Sequence, residues 1–167
     1  MRGPDQGKIL VGEFDHSYVV KMRGYIRLTL CASLGRYMER IFGAEDHPRQ
    51  VLIDLSDATG LDSTTLGLIA RLALYCQDHF HFKPLVFCDR AELLQDLHTM
   101  ALDEFLDIVS RTPPQPQEMQ ELPVVDASAQ ELKKRIIDAH KLLASLNPQR
   151  ESEFLDLVRA IERDVSV

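Results

Sequence analysis

Cysteine, tryptophan and long apolar runs are scarce or absent in this chain. Its three cysteines, Cys31, Cys76 and Cys88, are odd in number, far apart and set in apolar segments. This argues against a disulfide framework and against a Cys-x-x-Cys zinc site. No stretch approaches the ~20 apolar residues of a membrane helix, and the first residues lack the apolar region of a signal peptide. We therefore expect a cytoplasmic protein with reduced cysteines and no membrane contact.

Positive charge and glycine-rich loops are also lacking. The formal net charge is −7 at pH 7, whereas binding to nucleic acid needs a concentrated cationic surface. Gly60 and Gly67 are isolated, so the spacings that cradle nucleotide phosphates do not occur. Nucleic-acid binding and nucleotide hydrolysis are disfavoured, and we expect neither a cofactor nor a metal ion. Proteins or small molecules remain as partners.

The chain does contain enough apolar residues for a core, together with alternating strand and helix patterns. Its 167 residues, 45% of them hydrophobic, give room for one ordinary domain and an appendage. In chain order the periodicity predicts strands at Lys8–Phe14 and Tyr18–Met22, a helix at Leu28–Phe42, a strand at Val51–Leu55, a helix from Leu66 to Cys76, a strand at Leu85–Cys88, a helix capped by Asp89 and a strand at Phe105–Val109. The first two strands form an antiparallel hairpin and the later ones are parallel. This predicts an α/β fold with a mixed sheet of about five strands.

Proline divides the chain into two parts. Residues 113–127 begin with a proline-rich run that is typical of an extended linker. Two amphipathic patterns follow, over Ser128–Leu146 and after Asn147-Pro148, and predict a helical hairpin at residues 128–165. The predicted organisation is a loose leader (residues 1–7), an α/β domain (residues 8–112), the linker and the hairpin. Because two helices alone expose an apolar face, we expect the hairpin to pack on the domain, with homodimer formation or coverage of a partner as alternatives.

The most informative segment joins an apolar strand to the start of a helix. It contains Asp54-Leu55-Ser56 and, a few residues later, Asp62-Ser63-Thr64-Thr65-Leu66-Gly67. Ser63 is predicted to lie where backbone N–H groups are unpaired and the helix dipole is positive, so a phosphoryl group there would be stabilised. Ser is also a common helix N-cap, and a plain cap is the alternative interpretation of Ser63.

This pattern resembles the signature of STAS domains, the family of bacterial anti-sigma factor antagonists. In that family a partner kinase phosphorylates the serine after the aspartate, and Ser63 is the matching position, with Thr64 as second choice. The layout resembles the family over the first two-thirds of the chain, and the specific motif spans Asp54–Gly67. The whole is similar to the Pseudomonas-type antagonists that control secretion and biofilm formation. A STAS-like mixed sheet followed by a helical hairpin is the fold that the resemblance implies.

The resemblance also implies a phosphorylation-controlled binding module rather than an enzyme. The unphosphorylated protein would capture an anti-sigma factor, and a Ser/Thr kinase and a phosphatase would switch it between partners. The residues expected to contact partners are Asp54, Ser56, Asp57, Asp62, Thr64, Thr65 and Gly67. No His or Lys lies within a few residues of Ser63 to activate its hydroxyl as a nucleophile. Phosphate would add about −1.5 to −2 charges to a surface that is acidic around Asp54, Asp57 and Asp62.

Other interpretations are weaker. A receiver-like phosphoacceptor at Asp54 would need an acidic pair after the first strand and a lysine after the last, and neither occurs. A small ligand-binding STAS-like sensor, with its ligand near Gly24 and Ser63, is the alternative from another functional class. His140 is interpreted as an ordinary residue on a polar helix face. His79 and His81 are too close in sequence to share a helix face as metal ligands.

Overall fold

The computed structural model describes residues 6–111 and 114–163. In these residues six strands form one mixed sheet: β1 (Lys8–Phe14), β2 (Ser17–Ile26), β3 (Gln50–Leu61), β4 (Leu85–Phe87), β5 (Asp107–Val109) and β6 (Gln120–Glu121). The same ranges contain five α-helices: α1 (Cys31–Phe42), α2 (Ser63–Tyr75), α3 (Ala91–Thr99), α4 (Ala129–Leu146) and α5 (Glu151–Arg163). The predicted α/β class with a mixed sheet is confirmed.

The strand order across the sheet is β5-β4-β3-β2-β1-β6. β1 and β2 form the predicted antiparallel hairpin, whose turn residues Asp15 and His16 have positive φ angles of 50° and 61°. β2, β3, β4 and β5 pair in parallel, also as predicted. β6, which was not predicted, pairs antiparallel with β1 at Leu10 and Val11. The sheet is therefore one strand wider than the sequence indicated.

β3 is much longer than the predicted strand, which ended at Leu55. It continues to Leu61 beside β2, with register shifts between Lys21 and Arg23 and between Gly24 and Tyr25. Bulges of this kind let a polar, glycine-containing segment stay paired while its side chains are redirected. Residues 56–61, which were not predicted to form a strand, are thus part of the sheet.

The main core lies between one face of the sheet and the helices. Alternate residues of β1, β2 and β3 face it, and they are Ile9, Val11, Val20, Met22, Val51, Ile53 and Leu55, all buried. They pack in one cluster with the buried sides of α1 and α2, for example Leu34 and Ile69. Full burial of one such aliphatic side chain contributes ~1.5–3 kcal/mol. This face therefore fixes α2 on the sheet.

The opposite face is crossed by the chain between β5 and β6. Gln115 donates a hydrogen bond to Asp54 in β3, and Pro116 is buried over Gly12 in β1, where an added Cβ would lie 2.9 Å from the Pro116 ring. Residues 114–119, which we call the crossing segment, therefore pack on the sheet instead of forming a free linker. Thr112 and Pro113, where the predicted linker begins, lie outside the described residues.

The helical hairpin of α4 and α5 packs on the α/β domain, the first of the three arrangements considered. α4 lies against α2 and α1, and α5 lies against α4. The buried residues of the hairpin are Ala139, His140, Leu143, Ala144, Asn147, Phe154 and Val158. The turn is tied to the domain by Asn147, whose side-chain amide donates 2.9 Å hydrogen bonds to the carbonyls of Met100 and Leu143.

Two predicted element ends differ in detail. α3 has Arg90 as its N-cap with no side-chain cap bond, so Asp89 is not the cap. Gln6, at the end of the predicted leader, forms a parallel bridge with Tyr25, while residues 1–5 lie outside the described part of the chain. Residues 164 and 165, at the end of the predicted hairpin, also lie outside it.

Candidate functional site

The N-terminus of α2 is capped by Asp62. Its Oδ1 atom accepts hydrogen bonds from the backbone N–H of Thr65 at 2.8 Å and from the Thr65 hydroxyl at 2.7 Å. A cap of this type stabilises a helix by ~1 kcal/mol. Ser63 is the first residue inside the helix, so the alternative interpretation of Ser63 as the cap is wrong. The Ser63 hydroxyl is left to interact elsewhere.

The Ser63 hydroxyl bonds to a histidine of the hairpin. Its Oγ lies 2.8 Å from Nε2 of His140, and Nδ1 of His140 lies 2.7 Å from the Ile136 carbonyl oxygen. Because a carbonyl oxygen only accepts, Nδ1 carries a hydrogen, and in the neutral ring Nε2 accepts from the Ser63 hydroxyl. His140 is only 2% exposed. It is therefore a buried residue of the α2–α4 interface, and its assignment to a polar face was wrong.

Helices α2 and α4 approach each other closely at Gly67. A Cβ added to Gly67 would lie 2.7 Å from Cα of Ala139, a distance that a real Cβ does not reach. Only glycine here, opposite a small residue on α4, allows the two backbones to come this near. Gly67, predicted as a partner-binding residue, is covered by the protein's own α4.

A group of ion pairs links α4 to α1 at the edge of this interface. The Glu131 carboxylate lies 2.7 Å from the Arg36 guanidinium and 3.0 Å from the Arg135 guanidinium. Arg135 also lies 3.4 Å from the carboxylate of Glu39. The hydrogen bond from Arg36, with a smaller contribution from Arg135, holds the pKa of the Glu131 carboxyl below its usual range. Fully exposed pairs contribute little individually, but the Glu131 and Arg135 side chains are only 25% and 12% exposed, and together these pairs hold the first half of α4 against α1.

The three predicted acidic residues do not form one exposed acidic surface. Asp54 is 1% exposed, and its carboxylate accepts from the Ser56 N–H, the Ser56 hydroxyl and the Gln115 amide. Lys21 lies 3.8 Å from Asp54 and 3.3 Å from Asp57. Asp62 is engaged in the helix cap. Asp54 therefore organises the sheet and the crossing segment, and in this arrangement its carboxylate is not on the surface that a partner would touch.

The predicted site residues thus divide by accessibility. Thr64 and Thr65 are 5% and 0% exposed, and the Thr65 hydroxyl lies 3.5 Å from the Cys31 thiol. Burial raises the pKa of that thiol to about 12, so Cys31 is an inert neighbour. Ser56, Asp62 and Ser63 are half-buried and Asp57 is exposed. Of the two predicted phosphoacceptors, Ser63 is the more accessible.

Comparison with known proteins shows the fold. No family model and no curated protein sequence matches the chain. The crystal structure of an anti-sigma factor antagonist from Mycobacterium paratuberculosis matches it with a TM-score of 0.53 and 22% sequence identity, covering 66% of this chain and 92% of that chain. The fold is STAS-like.

The match covers 66% of the chain. Almost all of the matched antagonist is covered, so the rest of this chain is an addition to the fold. Within residues 6–111 and 114–163 no helix is long and apolar enough to cross a membrane, and no group of three or more His, Cys, Asp or Glu side chains is arranged to hold a metal ion.

Sequence reasoning missed His140, although a signal was present. It lies four positions after Ile136 and directly follows Ala139, so it lies on the apolar stripe of α4. A histidine on a buried stripe needs a hydrogen-bond partner. His140 lies 77 positions from Ser63, so no local pattern connects the two, and their contact depends on the docking of the hairpin.

Proposed function

We propose that this chain is an anti-sigma factor antagonist whose binding is controlled by phosphorylation of Ser63. The observation that carries the proposal is the position of Ser63 as the first helical residue of α2 in a STAS-like fold, with its hydroxyl not needed for the cap. A phosphate there would lie at the positive end of the helix dipole, next to unpaired N–H groups. The burial of Thr64 supports Ser63 as the acceptor.

The partners follow from this role. The unphosphorylated protein binds an anti-sigma factor, and phosphorylation releases it or redirects the protein to another partner. A Ser/Thr kinase supplies the phosphoryl group, and a phosphatase removes it, in the cytoplasm. Control of secretion, motility or biofilm genes is the output suggested by the resemblance to Pseudomonas-type antagonists. The matched structure supports the first partner, because that protein is an anti-sigma factor antagonist.

A hydrolase is the second candidate, because the Ser63–His140 distance is that of a nucleophile and its base. We favour a binding module. The imidazole is 2% exposed, so a substrate would have to displace α4 to reach the pair. A fluorophosphonate probe separates the two candidates: no labelling of Ser63 is expected, and labelling that is lost in His140→Ala would instead establish an enzyme.

Affinity purification from the native host tests the proposed function. Wild-type protein is expected to carry phosphate on Ser63 in part of the population, and Ser63→Ala is expected to carry none and to retain an anti-sigma factor. Ser63→Asp is expected to lose that factor, whereas Ser145→Ala, a control at an exposed hydroxyl of α4, is expected to behave as wild type. Phosphate absent from Ser63 in cells, with equal recovery of the factor by all variants, would overturn the proposal.

A further inference from the structure

We propose that the side of α2 that faces α4 is a docking site for one amphipathic helix, which α4 occupies within the chain and a helix of a partner protein occupies when the hairpin is released. The identity of that partner as the anti-sigma factor rests on the proposed function. The docking site itself is argued from the α2–α4 interface alone. In this scheme the hairpin and the partner compete for the same surface.

The interface specifies what kind of helix fits. At Gly67 the backbones are so close that the incoming helix must present a small residue, as α4 does with Ala139. The next residue must accept a hydrogen bond from the Ser63 hydroxyl, as His140 does at 2.8 Å. Leu68 and Arg71 line the same contact with Ala139 and Leu142. A helix with a small residue, an adjacent acceptor and an apolar residue three positions after the small one meets these conditions.

In this scheme the hairpin leaves α2 while the sheet stays folded. The matched antagonist structure is covered over 92% of its length by 66% of this chain, so about a third of this chain has no counterpart in that fold. Within α4 the buried residues are Ala139, His140, Leu143 and Ala144, all in its second half. Its first half contains no fully buried residue and is held in part by the ion pairs of Glu131 and Arg135, whose side chains are 25% and 12% exposed. Its second half joins the main core through Leu143 and Ala144, so we expect opening to begin in the first half.

Phosphorylation acts on the same contact. A phosphate on Ser63 would occupy the space where Nε2 of His140 now lies, 2.8 Å from the Ser63 hydroxyl oxygen. Phosphate on Ser63 therefore excludes α4 as well as a similar partner helix. The released hairpin is also what allows a kinase to reach the hydroxyl.

The test uses the full chain and a labelled hairpin peptide, residues 126–163, as the probe. Ala139→Glu places a charge against Gly67 and is expected to release the internal hairpin, so the peptide binds this variant at least ~10-fold more tightly than wild type, a difference of about 1.4 kcal/mol. Ala160→Glu, at an exposed alanine of α5, is the matched control and is expected to bind the peptide as weakly as wild type. A peptide that itself carries Ala139→Glu is expected not to bind.

A second pair of variants tests the docking site even if Ala139→Glu fails to fold. Arg135→Glu removes the contacts to Glu131 and Glu39, whereas Lys134→Glu makes the same charge change at a side chain that is 77% exposed. Hydrogen exchange of the α2 and α4 amides is expected to accelerate in Arg135→Glu and to stay unchanged in Lys134→Glu, with the sheet amides protected in both. The hairpin peptide should likewise bind Arg135→Glu more tightly than Lys134→Glu.

The outcomes are distinct from those of the proposed function, because no kinase, phosphate or anti-sigma factor is present. Equal peptide affinity for wild type and for an opened variant would overturn the docking site. So would unchanged α4 exchange in both Ala139→Glu and Arg135→Glu. Confirmed peptide exchange with an unphosphorylated Ser63 in cells would keep the docking site and reject its phosphorylation control.

Discussion

Ser63, the first residue of α2, and His140, in the middle of α4, lie 77 positions apart in sequence, yet their side chains are 2.8 Å apart. The bond joins the predicted phosphoacceptor to the C-terminal hairpin. A change at Ser63 therefore alters the packing of the hairpin, and a movement of the hairpin changes access to Ser63. The predictions below begin with this pair.

Removing either side of the Ser63–His140 bond should destabilise the protein. Ser63→Ala is expected to lower the free energy of unfolding by ~0.5–1.5 kcal/mol, and His140→Ala by more, because it also leaves a buried cavity. The double variant should lose less than the sum of the two, since both remove the same bond. Urea denaturation monitored by circular dichroism measures all three. Ser145→Ala, at an exposed hydroxyl of α4, is the control, and strict additivity would contradict the bond.

The cap of α2 gives a second prediction. Asp62→Ala removes two hydrogen bonds to Thr65 and is expected to cost ~1–2 kcal/mol of stability. Asp89→Ala is the matched control, because Asp89 precedes a helix without capping it. Its effect should stay within about 0.5 kcal/mol. Thermal unfolding measures the stability of both variants, and equal losses of stability would show that Asp62 has no special role.

Close packing at Gly67 leads to a third prediction. Gly67→Ala forces a methyl group against Ala139 and is expected to destabilise the protein by ~1–3 kcal/mol despite the better helix propensity of alanine. Ala139→Gly in the same chain should recover part of this loss by making room. Gly43→Ala, where the nearest atom to an added Cβ is 3.5 Å away, is the control. A neutral or stabilising Gly67→Ala would contradict the close approach of α2 and α4.

Acid should loosen the hairpin through Glu131. Its carboxyl pKa is lowered in the folded protein, first by the hydrogen bond from Arg36. A lowered folded pKa means that the contribution is present above the unfolded pKa and is lost as the pH falls through the folded value. Hydrogen exchange of α4 is therefore expected to accelerate relative to the sheet on acidification below the usual glutamate range. Glu131→Gln should remove this part of the pH dependence, and an identical profile in the variant would reject the assignment.

The thiols provide a test of the core. Burial raises the pKa of Cys31 and of Cys76 to about 12 and also raises that of Cys88. Since the thiolate is the reactive form, none is expected to react with a thiol reagent at pH 8 in the native protein. All three should react in denaturant. Ser145→Cys introduces an exposed control thiol that should react at once, and rapid native labelling of the original cysteines would contradict the packing.

Much of the architecture followed from local pattern. Alternation in β1 and β2, and the helical stripes of α1, α4 and α5, predicted those elements, because each pattern reflects burial of one face. The order of strands and helices then predicted the parallel sheet. Asp62 and Ser63 were also predicted to lie at the start of a helix, and they lie at the start of α2.

The features that the sequence did not predict depend on contacts between residues distant in sequence. β6 has only two residues, Gln120 and Glu121, both exposed, so no periodicity marks it. The end of β3 contains polar residues and Gly60, which are typical of loops, and its pairing with β2 overrides that preference. The burial of Asp54 depends on Lys21 and Gln115, which no local pattern connects to it. The Ser63–His140 bond depends on the docking of the hairpin.

The pairing of β6 with β1 has a consequence for how far the hairpin moves. Glu121 is fixed to the sheet through Leu10, and Leu122 adds a 2.8 Å backbone hydrogen bond to Ile9, so only a few residues separate this anchor from Ala129 at the start of α4. A hairpin on so short a tether stays at an effective concentration of the order of millimolar around α2. A free competitor must therefore bind α2 much more tightly than α4 does. Otherwise it binds only after a chemical change has lowered the affinity of α4 for α2.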